Sequence, residues 1–177
     1  MSLFGIYLTL MFCILEIFSL NIDVTSEEFN IENLGTTIKN QLQNEDIHIS
    51  LNNELYKISN NGRNDIILKS SIYFISKNKT TWNFQNIYNS RINLHIYDDN
   101  NIKIVFENIK FTNFIVDITD ETSMFRLSSY SDTNKFQVIF NNCVFDDIQA
   151  TIFIANIKCT KSIQTEPQVI FNNCIFR

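Results

Sequence analysis

At 177 residues, 45 % of them apolar and 13 % aromatic, the chain carries enough hydrophobic material for one folded domain and too much for a disordered polymer. Its net charge of −5 comes with lysines and arginines scattered along the sequence, which excludes the clustered basic face a nucleic-acid partner requires. Only three glycines and one proline are present, so asparagine must take the turn positions of any turn-rich fold.

The first element is an uncharged apolar run from Leu3 to Leu15, closed by Glu16 and followed by Ile17, Phe18, Ser19 and Leu20. It has the length of a signal-peptide core and falls short of the roughly 20 apolar residues that span a bilayer. Residues 1–20 are therefore expected to be a signal peptide. The alternative is an uncleaved signal anchor, since no lysine or arginine precedes the run and Ser19 is the one small residue near its end. Cys13 lies inside the run, without the small residues of a lipoprotein site. No second apolar run of this length follows.

Residues 21–44 are expected to form an N-terminal segment with a helix over 25–44. Thr25 or Ser26 can cap it and Glu28 can complete a capping box. Phe29, Ile31, Leu34, Ile38 and Leu42 fall at near-helical spacing, although Gly35 weakens the middle. Such a helix would plug the open end of whatever strands follow.

Strands occupy the rest, residues 45–177. Ile47, Ile49 and Leu51 alternate with polar neighbours; Ile66 to Leu68 and Ile72 to Ile75 follow, broken by Lys77-Asn78-Lys79-Thr80. Arg91 to Tyr97 sets Ile92, Leu94 and Ile96 against Asn93, His95 and Tyr97. Further walls are expected from Phe114 to Ile118, Met124 to Leu127 and Thr151 to Ile157, with polar loops at Ser128 to Lys135 and Lys158 to Glu166.

Between these runs one stretch recurs. Val138-Ile139-Phe140-Asn141-Asn142-Cys143-Val144-Phe145 returns as Val169-Ile170-Phe171-Asn172-Asn173-Cys174-Ile175-Phe176. A weaker copy is Ile104-Val105-Phe106-Glu107-Asn108-Ile109-Lys110-Phe111, and a looser one Trp82-Asn83-Phe84-Gln85-Asn86-Ile87. Within a copy the two-residue alternation slips at the asparagine, which flips later side chains to the other face unless the backbone bends there. Asparagine tolerates the left-handed conformation best among non-glycine residues. Asn86, Asn108, Asn142 and Asn173 are therefore expected at one corner, stacked so that their amides bond along the stack. The phenylalanines Phe84, Phe106, Phe140 and Phe171 are 22, 34 and 31 residues apart, a spacing typical of solenoids.

This pattern resembles the right-handed parallel β-helix, or pectin-lyase-like, superfamily, and in particular its surface proteins with I-x-F-x-N-C-x-F repeats. The resemblance spans about residues 45–177 and implies an all-β, right-handed parallel β-helix solenoid. With the amphipathic capping helix before it and an interruption at residue 177, the chain reads as one truncated at its C-terminus. A β-sandwich with similar strands is the competing architecture. Phe106, Phe140 and Phe171 would stack on successive coils, as would Cys143 and Cys174. Those two cysteines are read as reduced core fillers, because Ile109 holds their place in the weaker copy, and Cys159 as a loop thiol.

Candidate chemistry is sparse. Asp98-Asp99 and Asp146-Asp147 are adjacent carboxylate pairs, and related pectin-cleaving enzymes use carboxylates, but neighbours in a turn point apart into water. The Gly-His-Gly motif of one enzyme branch is missing, since His48 and His95 are flanked by apolar residues and are read as surface residues. The Arg-Ile-Lys and Arg-centred motifs are missing as well. No catalytic residue, metal site or cofactor is expected. Asn78-Lys79-Thr80 is the one N-glycosylation triplet.

The reading is thus a secreted or cell-surface, non-enzymatic module for adhesion to a polysaccharide or a surface protein. It has no nucleic-acid partner, and any membrane attachment would come through an uncleaved anchor or a missing C-terminal region. The alternatives are a diverged polysaccharide lyase or glycoside hydrolase, and a structural spacer of a larger surface protein. A groove with two carboxylates and a basic residue at one level would favour the enzyme; exposed stacked aromatics would favour sugar binding.

Overall fold

Short alternating strands that each bury one face, joined by asparagine corners, cannot satisfy their backbone alone and must stack. They do. The computed structural model describes residues 20–24, 28–29, 35, 45–58, 64–88, 90–97, 100–116, 123–132, 135–157 and 167–177. The strands among them pair in parallel throughout, forming a β-solenoid of about four turns with three walls.

The first wall stacks β1 (Leu20–Val24), β3 (Ile47–Leu51), the start of β6 (Ile72–Asn83), the start of β8 (Ile102–Ile115), β10 (Phe136–Asn141) and β13 (Val169–Asn172). The second holds β2 (Glu28–Phe29), β4 (Leu55–Ile58), the ends of β6 and β8, β11 (Val144–Gln149) and β14 (Ile175–Phe176). On the third lie β5 (Asn64–Leu68), β7 (Ile92–Ile96), β9 (Ser123–Ser129) and β12 (Thr151–Ile157).

Inside, like residues sit on like. Ile22, Ile49, Phe74, Phe106, Phe140 and Phe171 form one column through the first wall. The rings from Phe74 to Phe171 are 4.9–5.0 Å apart with planes within 9° of parallel. Tyr56, Trp82, Phe111, Phe145 and Phe176 form the second-wall column. The third contributes Ile66, Leu94, Leu127 and Ala155. All three walls meet where Phe106 packs on Phe111 at 5.9 Å and on Phe125 at 4.9 Å. A buried polar group finds partners as it should: Tyr56 donates its hydroxyl proton to the Val24 carbonyl at 2.6 Å and accepts from the Asn53 N–H at 2.9 Å.

The corner between the first two walls is left-handed at Asn108 (φ 58°), Asn142 (φ 53°) and Asn173 (φ 52°). Asn173 donates its amide to the Asn142 side chain at 3.4 Å, whereas Asn108 sends its amide to the Ser76 carbonyl at 2.9 Å.

Two expectations need correction. Trp82 to Ile87 is not the preceding copy. The rung below Phe106 is Ile72 to Trp82, with Phe74 in the phenylalanine column and Lys79 (φ 59°) at the corner. Ile75 pairs with Glu107 and Thr80 with Ile109, so this rung carries three additional residues at its corner, and the insertion hid it from the spacing. Asn86 (φ 55°) turns a different bend, toward the far end of the second wall, where Asn113 (φ 58°) and Asp147 (φ 54°) are also left-handed.

The N-terminal helix is also revised. Glu28 and Phe29 are strand, paired with Lys57 and Ile58, because an unpaired sheet edge is satisfied better by a strand than by a plug. Asn21 to Val24 likewise extend the first wall below residue 45. Gly35 is buried against β5, where a Cβ would come within 2.4 Å of the Asp65 carbonyl oxygen. The other helix positions singled out above, the apolar run before Ser19, Cys13, Cys159, and Asp98-Asp99 lie outside the described residues.

Candidate functional site

The outer face of the third wall is where polar side chains converge. In β7 the alternation turns Ile92, Leu94 and Ile96 inward and leaves Asn93 and His95 outward. Stacking then builds outward rows along the solenoid axis. Asp65, Asn93, Arg126 and Ile154 make one row, and Ile67, His95, Ser128 and Asn156 the next.

Together with Arg91 and Tyr130, the polar members of these rows line a groove of about 240 Å³. Asp65 is its organising group. One oxygen, Oδ1, accepts from Asn93 Nδ2 at 3.0 Å and lies 2.9 Å from His95 Nε2. That fixes the imidazole and leaves His95 Nδ1 covered, with no hydrogen-bond partner among the described residues. Arg126 occupies the rung above Asn93, so the groove carries two guanidiniums beside a single carboxylate.

One rim is aromatic. Tyr97 and Tyr130 stack at 4.7 Å and 12°, and the His95 ring lies 6.2 Å from Tyr130 and 6.5 Å from Tyr97. The tyrosines are 50 % and 51 % exposed, unlike every ring in the core columns beneath the last rung, so this ridge faces solvent by construction.

The residues singled out from sequence are placed elsewhere. Asn108, Asn142, Asn173, Phe106, Phe140 and Phe171 hold the rungs in register and line no groove. Cys143 is buried and Cys174 half-buried; their thiols donate to the Asn141 and Phe140 carbonyls, and both are free. They stack above Ile109 and Thr80 in one column. Burial pushes the Cys143 thiol up to about 12 and raises that of Cys174 as well. Asn78 is exposed at the inserted corner.

Asp146 and Asp147 serve structure rather than chemistry. Asp146 bridges Lys110 at 2.6 Å and Arg177 at 2.9 Å, and those bonds hold its carboxyl below the usual carboxylate range. Asp147 takes a left-handed corner, so the two side chains diverge. His48 stacks on Tyr73 at 4.5 Å on the first wall, far from the groove in topology.

Sequence reasoning named His95 and dismissed it as a surface residue, and it missed Asp65, Arg126 and the two tyrosines as partners. The signal was present as outward positions of alternating strands, but it becomes a site only once the strands are registered. Among the described residues no three His, Cys, Asp or Glu side chains gather around one point that could hold a metal. No family model, curated protein or solved structure matches the chain.

Proposed function

We propose that the chain is a right-handed, pectin-lyase-like β-helix module displayed outside the cell, and that it binds carbohydrate through the groove of its third wall. The observation that carries this reading is the solvent-facing Tyr97–Tyr130 stack beside a polar groove. Tyrosine ridges offer apolar contact at low conformational cost, with two hydroxyls at their edge. Across from them, Asp65, Asn93, Arg126, Ser128 and Asn156 provide the donors and acceptors that sugar hydroxyls use. At about 240 Å³ the groove is smaller than the roughly 300–1,000 Å³ of enclosed ligand pockets, which suits part of an extended polymer.

Binding is favoured over hydrolysis by the charge count. Glycoside hydrolysis uses two carboxylates flanking the scissile bond, and this groove presents Asp65 alone among its lining residues. That carboxylate is already engaged with Asn93 and His95.

The test is a glycan array followed by calorimetry on the best binder. Tyr130→Ala should weaken binding by about 5- to 30-fold, the equivalent of about 1–2 kcal/mol, while leaving the thermal transition in place. Unchanged affinity in Tyr130→Ala and Arg126→Ala, or cleavage of the bound glycan by the wild type, would remove this reading.

A further inference from the structure

We propose that Asn78 is a modification site: it carries an N-linked oligosaccharide. The inference rests on the proposed export of the chain, and it gives the inserted corner of the solenoid a purpose.

In the neighbouring rungs the first corner is turned by a single asparagine, whose backbone and side chain tie it to the next rung. Asn142 donates its N–H to the Asn172 carbonyl at 2.8 Å, and its side chain accepts from Asn173. The rung of β6 departs from this. Three additional residues enter between Ile75 and Thr80, and Lys77, Asn78 and Lys79 are all exposed. Lys79 takes the left-handed corner in place of an asparagine. Asn78 is thereby lifted off the amide ladder, with no hydrogen-bond partner among the described residues.

The residues around the insertion keep the rung in place without Asn78. Thr80 is 1 % exposed and donates its hydroxyl proton to the Asn53 carbonyl at 2.7 Å. Thr81 and Trp82 resume the parallel register with Lys110 and Phe111. A glycan at Asn78 therefore displaces no contact of the fold. The chain places its one Asn-Xaa-Ser/Thr triplet at this protruding tip, although asparagines fill its turns.

The chemistry balances with one co-reactant, an oligosaccharide linked to a polyprenyl diphosphate. The Asn78 amide nitrogen bonds to the anomeric carbon of the first sugar, and the carbon–oxygen bond to the diphosphate breaks. The amide proton leaves as the polyprenyl diphosphate is released. Transfer acts on the emerging chain, before Thr80 is buried, so the buried hydroxyl is no obstacle.

The corner belongs to the first and second walls, whereas every residue lining the groove lies on the third. A glycan at Asn78 covers the corner and leaves the groove open.

The test expresses residues 1–177 in a eukaryotic secretory host, behind the native leader and in parallel behind a foreign secretion signal. Expected is an intact mass above that of the polypeptide, removed by an N-glycosidase that leaves Asp at position 78. Asn78→Gln should abolish the shift with an unchanged circular dichroism spectrum, and Thr80→Ser should retain it. A glycan behind the foreign signal alone supports the site and sinks the export reading. Unmodified protein in the medium behind both leaders, or a glycan mapped to another asparagine in place of Asn78, overturns the inference.

Discussion

Replacing Asn142 by alanine tests the corner on which the stacking depends. Its φ of 53° lies where an L-residue with a Cβ pays about 1–2 kcal/mol, and asparagine is among the few that tolerate it. The backbone cannot relax to a negative φ cheaply. The Asn142 N–H bonds to the Asn172 carbonyl at 2.8 Å, and one residue later the Cys143 carbonyl accepts from the Ile175 N–H at 3.0 Å. Alanine also loses the Asn173 amide bond, which at 3.4 Å on an exposed surface contributes a few tenths of a kcal/mol.

The expected cost of Asn142→Ala is therefore about 1–2 kcal/mol. Glycine reaches the same φ without strain, so Asn142→Gly should cost less than about 1 kcal/mol, chiefly in backbone entropy. Asn141 sits in regular β10, and its side chain accepts one exposed bond from Asn172 at 2.9 Å. Its alanine variant should stay within about 0.5 kcal/mol of wild type. Urea titration monitored by far-ultraviolet circular dichroism measures all three, and hydrogen exchange at the Ile175 amide reports local opening of the rung. Equal costs for Asn141→Ala and Asn142→Ala, or a glycine variant as damaged as the alanine one, would refute the argument from backbone strain.

The remaining expectations concern the core, the thiols, the groove and the glycan. Phe106 is fully buried and touches rings from all three walls, so Phe106→Ala should cost about 3–5 kcal/mol in the same titration. Burial raises the Cys143 thiol from 9.0 to about 12, so the unfolded chain ionises first. The stability this gives is complete below pH 9 and is lost as pH climbs toward about 12; a Cys143→Val variant should lose less over that window. Tyr130→Ala should weaken glycan binding about 5- to 30-fold by calorimetry, and Asn78→Gln should remove a glycan without altering the groove.

What the sequence disclosed follows from how each feature is encoded. The corner at Asn108, Asn142 and Asn173 was legible because a slip in alternation and a left-handed residue coincide at a fixed offset from a phenylalanine. The rung at Phe74 was not. Its three-residue insertion moved the corner to Lys79, and Trp82 to Asn86 imitated the motif closely enough to take its place. Residues 25–44 showed helical spacing, but Glu28 and Phe29 pair with β4 because a sheet edge outweighs local propensity. The groove was illegible for another reason. Asp65 and His95 are 30 residues apart, and only the stacking of β5 on β7 brings them to 2.9 Å.

The same stacking explains why the site lies on the third wall. The inward columns of the first and second walls carry apolar, largely aromatic side chains from rung to rung, which fixes register. The outward rows of the third wall do not repeat: Asp65 gives way to Asn93, then Arg126, then Ile154, and the next row runs Ile67, His95, Ser128, Asn156. A repeating row would present a periodic surface, suited to a lattice or to another copy of itself. A row whose charge runs from carboxylate through amide to guanidinium within three rungs has a direction and a single level at which its chemistry is complete. It would hold one short stretch of ligand in one orientation, with Tyr97 and Tyr130 marking the level. The passage from carboxylate to guanidinium along one row, beside a stacked pair of tyrosines, is thus the physical mark of the site, and it becomes visible only after the rungs are aligned.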